Sequence, residues 1–231
     1  MCAQRLTADQ KSVLPYPLRP GQAIIKQHWH KQKKNTIMTT IKSLCVYCGS
    51  RPGASPAWRR LAAELGKMLA QNGIRLVYGG GGIGLMGIVA RAALRAGGAV
   101  TGVIPHHLDS IEVTLAGLTE LHVVASMHER KHKMFALSDA FLTLPGGIGT
   151  LDETVEIITW RQLGLHDKPV VILDHDGYWA PFGALIEHMI AAGFAGSETT
   201  GLYCVVDRLE QILPALRAAR PPGRPDSADL L

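Results

Sequence analysis

Arg130 and Glu153 are the residues whose types and settings could break a bond. Glu153 ends the stretch Leu144-Pro145-Gly146-Gly147-Ile148-Gly149-Thr150-Leu151-Asp152-Glu153, which follows the short apolar run 140–143. A glycine-rich turn opening a helix is a good place to hold a phosphate. The bare backbone approaches the anion closely, and the first helical N–H groups have no partner of their own. A carboxylate one turn above such a start lies near the sugar of a bound nucleotide. Glycosidic cleavage passes through an oxocarbenium-like state that a carboxylate stabilises, or for which it activates water. Arg130, in Met127-His128-Glu129-Arg130-Lys131-His132-Lys133-Met134, supplies a fixed cation for a phosphate or a departing base. Both residues also have plainer readings. Thr150-x-x-Glu153 matches a capping box, in which the carboxylate only closes the helix start. Residues 126–138 also read as a solvated basic helix with Met127 and Met134 in the core. Glu156 and Trp160 continue the helical face of Glu153 at spacings of three and four.

A second glycine loop, Tyr78-Gly79-Gly80-Gly81-Gly82-Ile83-Gly84-Leu85-Met86-Gly87, contains Gly82-x-Gly84-x-x-Gly87 after an apolar run. This satisfies a dinucleotide fingerprint. The following strand ends in Gly102-Val103-Ile104-Pro105-His106-His107 with no acid before Asp109, so the ribose contact of a nicotinamide site is missing. The loop therefore points to phosphate or ribose. No Gly-Lys-Ser/Thr of a Walker loop and no Gly-x-Ser-x-Gly elbow is present. The ten histidines form no recognised ligand spacing, so no metal site is expected. Cys45-x-x-Cys48 lies on a strand, where positions three apart face opposite sides, and no second pair completes a zinc site.

The elements that must position these groups alternate. Strands are expected near 44–48, 99–105, 120–126, 140–144, 168–174 and 203–207, and residues 74–98 read as strand, glycine loop and helix. Helices are expected at 55–73, 126–138, 150–164, 178–194 and 208–219, with residues 106–119 irregular. Ser55 is the expected cap of the first helix, Pro56 its first residue and Gly73 its end. The strands are short continuous apolar runs, which mark burial on both faces. The fold class is therefore α/β: a Rossmann-like, doubly wound parallel sheet with helices on both faces, in a single domain. In such sheets ligands sit at the strand carboxyl ends, where both glycine loops fall.

The chain has 231 residues, 47% of them apolar, and a net charge of +5. Residues 1–40 carry seven basic side chains and one acidic one, or +6, which leaves the remainder at 5 − 6 = −1. A near-neutral body argues against a general nucleic-acid surface. The basic residues 1–40 read as a flexible extension, 41–219 as the catalytic domain and 220–231 as a loose tail. No apolar run is long enough to span a membrane, and no secretory segment is recognised. Reduced thiols suit a cytoplasmic protein.

The motifs at 45–50, 78–87, 127–134 and 145–153, extended by 159–179, resemble the Lonely Guy family of cytokinin riboside 5′-monophosphate phosphoribohydrolases over about residues 41–208. The resemblance implies a homodimer that hydrolyses nucleoside 5′-monophosphates to free base and ribose 5-phosphate. It implies no cofactor. Arg130 and Glu153 match the catalytic pair. Gly146, Gly147, Gly149 and Thr150 match the phosphate loop, and Gly80, Gly81 and Gly82 match the first glycine loop. Ser50, Lys131 and Glu156 complete the expected substrate-binding set. Relatives are often labelled lysine decarboxylases, but the sequence shows no recognisable pyridoxal-phosphate lysine site. The alternative is a non-catalytic nucleotide or cofactor carrier on the same fold, which could dispense with Arg130 and Glu153. A single-stranded DNA-binding relative is disfavoured by the neutral body.

Overall fold

The computed structural model describes residues 40–109 and 114–219. The expected N-terminal extension (apart from Thr40) and the C-terminal tail lie outside the described residues. Seven strands form one sheet: β1 (Ser43–Tyr47), β2 (Arg75–Tyr78), β3 (Val100–Pro105), β4 (Glu120–Val124), β5 (Ala140–Thr143), β6 (Val170–Leu173) and β7 (Cys204–Val206). Their order is β4-β3-β2-β1-β5-β6-β7, and every neighbouring pair is parallel. β1, β3, β5 and β6 are buried along their whole length, as their unbroken apolar runs require.

The connecting helices are α1 (Pro56–Gln71), α2 (Gly84–Arg95), α3 (His106–Asp109), α4 (Met127–Ala136), α5 (Ile148–Gln162), α6 (Ala180–Ala191) and α7 (Ile212–Ala218). Leu65 and Leu69 of α1, Val89 of α2 and Leu216 of α7 join one core layer. Met134 of α4, Ile157 of α5 and Phe182 of α6 join the other. Helices therefore cover both faces of the sheet, as a doubly wound fold requires. Cys45 and Cys48 fall in opposite layers, so the Cys-x-x-Cys spacing brings no thiols together. No group of three or more metal-ligating side chains occurs among the described residues. No helix among them is long and apolar enough to cross a membrane.

Local signals set most boundaries. Ser55 accepts the Ala57 N–H at 3.2 Å to start α1, and Ser126 accepts the Glu129 N–H at 3.1 Å to start α4. Gly73 turns the chain out of α1 with φ +65°. Part of the segment expected to be irregular forms the short α3. α5 begins two residues before the expected Thr150, with Gly147 as its N-cap, and this shift bears on the chemistry below.

Candidate active site

The chain winds outward from β1 to β4, then returns to place β5 on the other side of β1. The sheet therefore reverses between β1 and β5, and the loops at their carboxyl ends diverge to leave a crevice. It holds a cleft of about 430 Å³, within the range of small-molecule sites. One wall is the loop after β1, including Gly49, Ser50, Arg51 and Gly53. The other is the loop after β5 with the first turns of α5, from Pro145 to Glu153.

No side chain caps the start of α5. Gly147, Ile148 and Gly149 are exposed at the cleft. The first N–H groups of the helix and the positive end of its dipole are thus available to an anion. Close packing defines the turn: a Cβ on Gly146 would stand 2.1 Å from Thr150 Oγ1. Because Gly147 is the N-cap, Thr150 is the third helical residue and Glu153 the sixth. A capping box needs the carboxylate at the third position. The capping reading of Thr150-x-x-Glu153 therefore fails, and Glu153 is a half-buried carboxylate on the cleft wall.

Arg130 borders the same cleft from α4 and is 5% exposed. Its Nε donates to the Val103 carbonyl at 3.2 Å and its Nη2 to the Gly79 carbonyl at 3.1 Å. The ends of β3 and β2 thereby hold the guanidinium, with Nη1 beside the Met127 sulfur at 3.7 Å. Gly79 allows this approach, since a Cβ there would lie 1.9 Å from Nη2. A buried cation on backbone carbonyls is not a solvated one, which rules out the plain basic-helix reading for Arg130. Burial, followed by the charge of Glu153, pushes the Cys48 thiol at the cleft far above its ordinary range. The same two causes come first for Cys45. Both sulfurs stay protonated at neutral pH.

The expected set divides. Arg130, Glu153, Ser50, Gly146, Gly147, Gly149 and Thr150 line one cleft. Gly80, Gly81, Gly82, Lys131 and Glu156 are not among its lining residues. The first glycine loop backs the cleft. Gly81 bridges Thr114, and the Gly82 carbonyl accepts Arg91 Nη1 at 2.7 Å. The Leu85 N–H donates to the Gly49 carbonyl at 3.0 Å, so the start of α2 supports the loop after β1. Lys131 pairs with Glu156 at 3.0 Å and Asp152 at 3.2 Å, tying α4 to α5. Partial desolvation lowers its pKa, but hydrogen bonds and charge from those carboxylates outweigh this and leave it raised.

Sequence reasoning missed Arg51, Trp58 and Tyr178 as cleft residues. Trp58 comes from the first turn of α1 and meets the Tyr178 ring edge-on, with centroids 5.3 Å apart. The available signal was positional: each aromatic residue follows a turn at a strand's carboxyl end.

A parallel sheet with a glycine-rich, uncapped helix start at its switch point defines a Rossmann-like α/β protein. Residues 86–216 match the family described as "Possible lysine decarboxylase". The chain is 46% identical over 180 residues to a cytokinin riboside 5′-monophosphate phosphoribohydrolase of Rhodococcoides fascians, covering 78% of this chain and 91% of that protein. It is 48% identical over 181 residues to the rice (Oryza sativa subsp. japonica) enzyme of the same name, covering 75% of each. The fold alone is shared with the molybdenum cofactor carrier protein of Chlamydomonas reinhardtii, at 21% identity and a TM-score of 0.57 over 76% of this chain and 95% of that one. The chain belongs to the Lonely Guy family, the cytokinin riboside 5′-monophosphate phosphoribohydrolases. Among the described residues no lysine lines the cleft to form the Schiff base that the decarboxylase description would call for.

Proposed function

We propose that this protein hydrolyses the N-glycosidic bond of a purine nucleoside 5′-monophosphate, with adenine or N6-prenyladenine as the base. Water adds to C1′, and the products are the free base and ribose 5-phosphate. The observation that carries this reading is the convergence of Glu153, Arg130 and the open start of α5 on one cleft. The N–H groups that open the helix and the Thr150 hydroxyl receive the 5′-phosphate. Glu153 lies five positions beyond the first helical residue, Ile148. At 1.5 Å per residue this raises its Cα about 7.5 Å along the axis, and helical side chains lean back toward the N-terminus. The carboxylate then stands toward the ribose and stabilises positive charge growing at C1′ as the bond to the base breaks. It also orients the attacking water. Arg130, already held by two carbonyls, offers its remaining N–H groups to the nucleotide without reorganising.

The enzyme acts in this reading as a cytoplasmic homodimer. The far end of α5 supports the dimer: Val155 is 42% exposed, and Leu163 and Leu165, just past the helix end, are each 64% exposed. Such an apolar stripe suits a protein contact. Sedimentation showing a fully active monomer at micromolar concentration would reject it.

Incubation with AMP and with its N6-prenylated analogue, assayed for free base and ribose 5-phosphate, tests the activity. Stoichiometric release of both products is expected. Binding without release would instead identify a carrier.

A further inference from the structure

We propose that Tyr178 is a positioning residue that sets the anion-binding loop through the Gly146 carbonyl; the proposal rests on the reading of the α5 start as the phosphate site. Three consecutive carbonyls run through that loop, and each has a donor from a different place. The Pro145 carbonyl accepts the Gly49 N–H from the loop after β1 at 3.1 Å. The Gly147 carbonyl accepts the Leu151 N–H of α5 itself at 3.0 Å. The Gly146 carbonyl between them accepts the phenol O–H of Tyr178, which reaches across from the turn after β6.

That middle peptide is the one most in need of a restraint. It joins two glycines, so no Cβ on either side opposes its rotation. In a trans peptide the C=O and N–H point in opposite directions. Holding the Gly146 carbonyl therefore fixes the direction of the Gly147 N–H, the N-cap donor at the mouth of the anion site. A flipped peptide would present a carbonyl oxygen there in place of a donor.

The turn after β6 is built to aim Tyr178. Asp176 and Gly177 both take left-handed conformations, with φ of 56° and 73°. Asp176 is the only non-glycine residue with positive φ among the described residues, a strained choice that persists where surrounding structure enforces it. Asp174 Oδ1 accepts the Trp179 N–H at 2.6 Å, closing the turn, and the Asp174 N–H bonds the Val206 carbonyl at 2.8 Å. The Tyr178 ring is then held edge-on between Trp58 and Trp179, at 5.3 and 5.1 Å. The ring that carries the hydroxyl is thus held by its own turn and by Trp58 of α1.

The test is Tyr178→Phe, which keeps the ring and its neighbours and removes only the O–H. Ribose 5-phosphate and adenosine are titrated calorimetrically into wild type and variant, and kcat and KM are measured with AMP. Loss of one neutral hydrogen bond predicts ribose 5-phosphate affinity lower by on the order of fivefold. KM for AMP should rise to match, kcat should change less than about twofold, and adenosine affinity should be unchanged. Equal ribose 5-phosphate affinity in wild type and Tyr178→Phe overturns the proposal, as does an equal loss for adenosine, which would mean general loosening. If wild type binds ribose 5-phosphate but releases no base, the hydrolase reading fails while the affinity ratio still decides the role of Tyr178. If wild type binds no phosphate ester, both fall together.

Discussion

Replacing Glu153 by Gln separates charge from shape at one atom. Gln has the same length and a similar helix propensity, and Glu153 is not part of a cap, since α5 starts at Ile148 with Gly147 as its N-cap. Folding stability should therefore change by no more than about 0.5 kcal/mol. The chemical step should respond very differently. A full positive charge about 4 Å from a carboxylate gains roughly 4 kcal/mol at an effective dielectric constant of about 20. The amide oxygen of Gln retains part of this as a dipole, and the oxocarbenium charge is only partly developed. A loss of about 2.7 kcal/mol, a hundredfold in kcat, is the expected minimum. The assay is release of adenine from AMP by chromatography, alongside calorimetric binding of ribose 5-phosphate and thermal melting. Binding and melting should match wild type while kcat falls. Glu156→Gln is the internal comparison. Glu156 pairs with Lys131 and does not line the cleft, so its loss should cost less than about threefold. A Glu153→Gln variant with wild-type turnover, or one whose activity loss tracks a fall in melting temperature, would refute the electrostatic role.

Gly79→Ala places a Cβ 1.9 Å from Arg130 Nη2 and must displace the guanidinium; kcat/KM should fall on the order of a hundredfold, approaching the loss in Arg130→Ala, with the fold retained by circular dichroism. Burial holds the His166 pKa below its ordinary 6.5, and the neutral ring donates from Nε2 to the Ile157 carbonyl while accepting the Lys168 N–H at Nδ1. The unfolded chain therefore binds the proton more readily than the folded one. Stability is present above about pH 6.5 and declines as pH falls below it, until the depressed folded pKa is passed. Melting temperature should drop across that window in wild type and less steeply in His166→Gln. A chain beginning at Met38 should retain both melting temperature and turnover; a large loss of either would show that residues 1–37 take part in the fold or the site.

The sequence by itself determined the architecture. Unbroken apolar runs such as Leu142 and its neighbours can be buried only by layers on both sides, and Ser55 and Ser126 mark their helix starts by local hydrogen bonds. It also determined that Cys45 and Cys48 part company, because strand alternation is a local rule. The Arg130 and Glu153 pair was legible as chemistry, but the competing cap reading was equally consistent with the letters. The structure set the cap reading aside. The Gly147 carbonyl accepts the Leu151 N–H, which starts the helix early and places Thr150 inside it. The cleft's membership was decided in the same way. β2 lies on the far side of β1 from β5, so the glycines Gly80, Gly81 and Gly82 stand behind the wall, and from that stretch only Leu85 and Met86, at the start of α2, reach the cleft. Lys131 follows Arg130 by about 100° around the helix, so burying one turns the other outward toward Asp152 and Glu156. Tyr178 comes from a turn 32 positions beyond the Gly146 carbonyl it holds. That contact depends on how adjacent strands end side by side, a relation between distant segments that no local pattern encodes.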